Sequence, residues 1–145
     1  MEGNIMQPKT ISQGKSGEKF VTDKKTITAE EQKQFCHITA NTLPIFLTDE
    51  AAQAKGWARR LVPGAMTMSC SIGLMEQAGL LDDVIAFMAM EKLRYLAPVY
   101  IGDTLQVEVA FIEKKPVKDG SRSIITYKFQ TVNQNGQPVL EAQNT

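Results

Sequence analysis

The chain has 145 residues, 43% of them hydrophobic and 22% charged, with 16 basic and 16 acidic side chains and a formal net charge of zero. That is enough chain for one core of ordinary size, and the balanced charge gives no electrostatic case for binding DNA or RNA. No apolar run is long enough to cross a membrane, and one histidine with two scattered cysteines cannot build a usual zinc site.

Residues 1–18 are polar and rich in Gly, Lys, Ser and Gln, and read as a flexible N-terminal arm; residues 19–145 read as one domain. A first strand is expected from Phe20 to Ile27. Thr28 with Glu31 three residues on forms a capping-box pattern, which opens a helix over Ala29–Ile38 with Phe35 and Ile38 on one face. The stretch from Thr39 to Leu47 is irregular, because Pro44 disfavours helix at Leu43. Thr48 caps a second short helix from Asp49 to Lys55, where Asp49 and Glu50 suit the positive end of the helix dipole. Gly56 ends it.

The run from Val62 to Gly79 is the expected centre of the molecule. Pro63-Gly64 is a turn signal, and Gly79 is a natural residue just past a helix end. Small and apolar residues lie on every side between them, with Glu76 the only charge. An amphipathic surface helix shows a polar face, so this segment reads as a helix buried on all sides. Its start at Gly64-Ala65 leaves backbone N–H groups free for an oxyanion or a polarised carbonyl. The pattern then turns to strands: Ile85–Tyr95, Leu105–Glu113, Ser123–Val132, and a last strand opening at Val139-Leu140. Leu105, Val107, Val109 and Phe111 alternate onto one face. Asp119-Gly120 and Asn135-Gly136 mark hairpin turns.

One long apolar helix followed by an antiparallel meander is an α+β arrangement, with the sheet curled around the helix as in a hotdog fold. The order of pieces resembles the MaoC-like dehydratases, or R-specific enoyl-CoA hydratases, from about Gly17 to Leu140. Four stretches carry the resemblance: Thr28-Ala-Glu-Glu followed by Phe35; Asn41-Thr-Leu-Pro-Ile-Phe46 before Asp49; Leu61-Val-Pro-Gly64; and Leu96-Ala-Pro-Val-Tyr-Ile-Gly-Asp-Thr-Leu105.

The resemblance implies a hotdog domain with an overhanging helical segment at about residues 29–60. It also implies a homodimer, with acyl-CoA or acyl-carrier-protein thioesters bound near the subunit interface and the acyl chain between helix and overhang. The family's hydratase loop reads Asp, any residue, Asn, Pro, any residue, His. Here Asn41 stands at the Asp position, Leu43 at the Asn position, and Phe46 at the His position, while Pro44 is kept. Hydration of an enoyl thioester needs a base for water and an acid for the α-carbon. An Asn amide does not titrate in this range and a Phe ring can only pack.

The catalytic residues are therefore open, and the candidate substrate-binding residues are Asn41, Phe46, Gly64, Ala65 and Met66. His37, Asp49 and Asp103 read as structural. Cys36 and Cys70 are candidate nucleophiles only with a base beside them; Cys36 adjoins His37 in sequence, but consecutive helical side chains do not face each other. The methionines read as core filler, some of them also as tunnel wall, and Trp57 as a packing anchor. No metal and no cofactor is expected. A cytoplasmic location is expected, with reduced thiols. Three functions stay open: an acyl thioester hydratase or dehydratase with a rearranged site, a non-catalytic thioester-binding module, and an inactive partner subunit of a hydratase. A thioesterase is a fourth, with no motif pointing to its carboxylate.

Overall fold

The computed structural model describes residues 5–6 and 10–145. Its sheet has six strands in the order β1-β2-β4-β5-β6-β3. β1 (Ile5–Met6) lies parallel to β2 (Lys19–Thr26). β3 (Met90–Tyr95), β4 (Thr104–Pro116), β5 (Ser123–Val132) and β6 (Pro138–Asn144) complete an antiparallel sheet with β2. Both hairpins turn where expected, with Gly120 and Gly136 at φ 75° and 73°, in the left-handed region that glycine enters without steric cost.

Alternation places Leu105, Val107, Val109 and Phe111 of β4 and Tyr127 and Phe129 of β5 in the core. The central helix, α3 (Gly64–Gln77), lays Met66, Thr67, Ser71, Leu74 and Met75 against that face. The Ser71 hydroxyl meets Thr131 Oγ1 on β5 at 2.6 Å and also donates to the Thr67 carbonyl at 2.7 Å. A buried hydroxyl pair is tolerated because each member has a partner, and it fixes the rotation of the helix over the sheet.

The expectation of a helix buried on all sides is corrected here. Ala65, Ser69 and Glu76 are exposed. They sit at helical spacing on the face turned away from the sheet, so within one chain the helix is half wrapped. Ile85–Tyr95 is also corrected. Only Met90–Tyr95 is strand, and Ile85 (76% exposed) and Met88 (67%) lie on the surface. The pairing of β3 with β6 starts at Met90 opposite Asn144, and Met88 and Ala89 bond to Thr145 outside that ladder.

The overhang contains α1 (Ala29–Thr39) and α2 (Asp49–Ala54). The capping box is present: Thr28 Oγ1 accepts from the Glu31 N–H, and the Glu31 carboxylate accepts from the Thr28 N–H. An ion pair with Lys25 joins these bonds in holding the Glu31 carboxyl below its usual range. Thr48 caps α2 through the Ala51 N–H. Ile38, expected beside Phe35 on a packed face, is 80% exposed instead, and Trp57 is 40% exposed rather than an anchor. Both lie on the outer side of a thin segment that has the core on one side only.

The flexible arm expected over 1–18 falls partly on residues 1–4 and 7–9, which lie outside the described residues. The arm is anchored at Ile11 and Ser12: Ile11 is fully buried, its N–H donates to the Leu80 carbonyl, and the Ser12 hydroxyl donates to Asp83, while Gln13 and residues 15–17 are exposed.

Candidate functional site

The site is assembled from a loop, a connecting segment and a helix start. α1 ends at Ala40 in the left-handed conformation (φ 58°). The chain then turns back, with the Asn41 N–H donating to the Cys36 carbonyl at 3.1 Å. The half-buried Asn41 side chain donates through Nδ2 to Thr39 Oγ1 at 2.7 Å. Pro44–Phe46 forms a single 3-10 turn, closed by the Phe46 N–H on the Leu43 carbonyl. Phe46 is half-buried and presents a ring without acid or base character.

Gln32 joins this loop to the rest of the site. It is 1% exposed on α1, and its Nε2 donates both to the Phe46 carbonyl at 2.8 Å and to the Leu61 carbonyl at 2.9 Å. Leu61 completes the clamp by donating its N–H to the Ile45 carbonyl at 3.0 Å, and it bridges to Tyr100 on the other side. Nothing in the sequence marked Gln32: a polar residue among Glu, Lys and Gln on a surface helix looks solvated. The available signal was its spacing of four from Cys36, which puts the two on one face.

Three residues beyond Leu61, α3 begins. Met66 and Thr67 donate to the Pro63 carbonyl, which leaves the Gly64 and Ala65 amides as the free donors of the first turn. The Tyr95 ring lies against Gly64 so closely that a Cβ there would stand 2.7 Å from Tyr95 Cε1. A side chain at position 64 would have to displace the Tyr95 ring, which is itself 53% exposed and walls the helix start. This contact of β3 with α3 was not visible in the sequence.

Of the five candidate binding residues, the clamp holds Asn41 and Phe46 on a loop tied to the segment that runs into Gly64 and Ala65. Met66 departs from the group. It is 4% exposed and turned into the core cluster, because its position in the first turn faces the sheet.

The remaining ionisable groups are accounted for elsewhere. His37 is exposed on α1. Asp49 Oδ1 accepts the Arg60 N–H at 2.9 Å, which ties α2 to the connecting segment. Asp103 is 4% exposed, accepts from the Tyr100 N–H and Gln134 Nε2, and stands 3.8 Å from the Arg59 guanidinium. Both cysteines are free thiols. Desolvation pushes the Cys36 and Cys70 thiols up from their usual range, which holds them in the neutral form that makes poor nucleophiles. Among the described residues no His, Cys, Asp or Glu cluster could hold a metal, and no helix is long and apolar enough to cross a membrane.

A sheet half-wrapped around one helix, with an overhanging helical segment, defines a hotdog-fold protein. The family model for the MaoC like domain matches residues 12–133, and the chain belongs to that family. It is 31% identical over 102 residues to protein MaoC of Klebsiella aerogenes, covering 70% of this chain but 30% of that protein's length. Among solved structures it is similar to the monoamine oxidase regulatory protein from Archaeoglobus fulgius. That pair has a TM-score of 0.84 and 28% identity over 94% of this chain and 92% of that one. It shares its fold with the (R)-hydratase from A. caviae involved in PHA biosynthesis, with a TM-score of 0.75, 22% identity, and coverage of 91% and 95%.

Proposed function

We propose that this chain binds acyl thioesters, of coenzyme A or of an acyl carrier protein, at the start of α3, and that alone it does not hydrate enoyl thioesters. One observation carries the reading. The loop clamped beside the helix start presents Asn41 and Phe46 where the family resemblance places an acid–base Asp and His. The Gly64 and Ala65 amides supply donors for a thioester oxygen. Such polarisation and positioning remain useful without a proton-handling pair, but each missing acid–base group costs roughly 10²–10⁴-fold in rate. The relatives named as hydratases support the ligand class, since the fold that binds their substrates is the fold of this chain.

A second chain belongs to this reading. The exposed face of α3 at Ala65, Ser69 and Glu76 and the apolar surface at Ile85, Phe87 and Met88 are what an interface would cover. A homodimer is the first candidate, and a catalytically complete hydratase subunit is the second. A cytoplasmic location goes with a coenzyme A ligand and with two free thiols.

The test is a calorimetric titration of the purified chain with saturated acyl-CoA thioesters of graded length. Saturable binding with an acyl-length optimum is the expected result. No binding to any thioester at accessible concentrations would remove the reading.

A further inference from the structure

Tyr95 is the last residue of β3, and it stands where the strand meets the helix start. It pairs with the buried Leu140 on β6, and directly opposite residues share a face of the sheet, so its side chain is on the inner face. The Leu96 N–H donates to the Val139 carbonyl at 2.9 Å and pins the strand end. The ring then lies over Gly64. A Cβ there would meet Tyr95 Cε1 at 2.7 Å and Cζ at 2.8 Å, and Cζ is the ring carbon that carries the hydroxyl. The phenol oxygen is therefore at the first turn of α3. β3 is an edge strand, so the other side of the ring stays open.

The chain has three tyrosines, and two of them use their hydroxyls within the fold. Tyr100 Oη accepts the Ala58 N–H at 3.1 Å, and Tyr127 Oη accepts from Asn144 Nδ2 at 3.1 Å. The Tyr95 hydroxyl has no hydrogen-bond partner among the described residues. Beside it are the Gly64 and Ala65 amides, which also lack an acceptor, since the bonds of the first turn begin with Met66.

We propose that Tyr95 is a specificity-determining residue of the thioester site, donating its O–H to the carbonyl oxygen that a Gly64 or Ala65 amide also binds. The inference rests on the thioester reading above and deepens it by adding a side-chain donor to the backbone amides. A carbonyl oxygen has two lone pairs, enough for the hydroxyl and one amide. Tyrosine hydroxyls are among the groups that stabilise charge developing on such an oxygen. A thioether sulfur is a weak acceptor, so a ligand without the carbonyl leaves these donors unpaired. Tyr95 therefore favours thioesters over thioethers of the same length. The packing of the ring is separable from this role, because phenylalanine keeps the ring against Gly64 and deletes the oxygen.

The experiment measures affinities of wild type and Tyr95→Phe for butyryl-CoA and for S-butyl-CoA, the thioether without the carbonyl, by calorimetry. Thermal melting checks folding, and an exposed hydroxyl outside the core is expected to leave it unchanged. Tyr95→Phe is expected to weaken butyryl-CoA by about three- to tenfold, the scale of one neutral hydrogen bond, and to leave S-butyl-CoA unaffected. The carbonyl stretch of bound butyryl-CoA, isotope-labelled at the carbonyl and read by infrared difference spectroscopy, is expected below the free-ligand value in wild type and closer to it in the variant. Equal affinity of the two proteins for butyryl-CoA overturns the proposal. So does an equal loss for thioester and thioether, and so does an identical stretch in both proteins. If wild type binds neither ligand, the thioester reading fails and the inference falls with it; a wild type that binds butyryl-CoA beside an indifferent variant removes Tyr95 alone.

Discussion

Replacing Gln32 with leucine leaves the Phe46 and Leu61 carbonyls without their side-chain donor while keeping the buried volume. A buried acceptor left unsatisfied costs about 1–3 kcal/mol. The Ile45–Leu61 bond still anchors the segment, so the expected loss for Gln32→Leu is about 2 kcal/mol, read from urea unfolding. Gln32→Glu turns a donor into a carboxylate facing two carbonyls and is expected to cost more at neutral pH. Equal stability of all three proteins would show that the clamp contributes nothing. At this scale the sequence was least legible. Gln32 and Tyr95 act through residues 14 to 31 positions away, and a local pattern carries no trace of such partners. Asn41 and Phe46 stood out because a motif with fixed spacing defines what belongs at each position.

Elements were legible wherever the signal was local chemistry. The Thr28–Glu31 box, the Thr48 cap, the turn glycines and the alternation of β4 and β5 are short-range devices, and the structure contains each of them. Residues 85–89 show where that logic stops. Alternation reports a face that is to be buried, and it reads the same whether the burial is inside the chain or against another one. In the isolated chain Ile85 and Phe87 are exposed, and the free edge of β3 has unpaired backbone groups of the kind proteins cover or blunt. The same explanation fits α3, whose composition is apolar all round although Ala65, Ser69 and Glu76 face outward. Sedimentation velocity is therefore expected to show a dimer. Ile85→Asp with Phe87→Asp should give a folded monomer, since neither side chain is in the core. A monomeric wild type, or an unaltered dimer in the double variant, would contradict that assignment.

At the scale of the whole molecule, the proposed thioester site is held together by contacts from three directions. The sheet fixes α3 through Ser71 and Thr131, the overhang fixes the loop through Gln32, and β3 sets Tyr95 against the helix start. Fold alone does not decide the reaction. On the proposed reading the deciding feature is the pair Asn41 and Phe46 on the clamped loop, neither of which can exchange a proton with water or with a carbon acid in the neutral range.

The most direct measurement follows the loss of enoyl-thioester absorbance with trans-2-enoyl-CoA of short and medium length, for wild type and for Asn41→Asp with Phe46→His. Wild type is predicted to stay at background while still binding the thioester. The double variant is predicted to gain turnover, because the site's positioning elements are already in place. Turnover by wild type well above background would contradict the account and send the search for its acid–base group elsewhere in the chain.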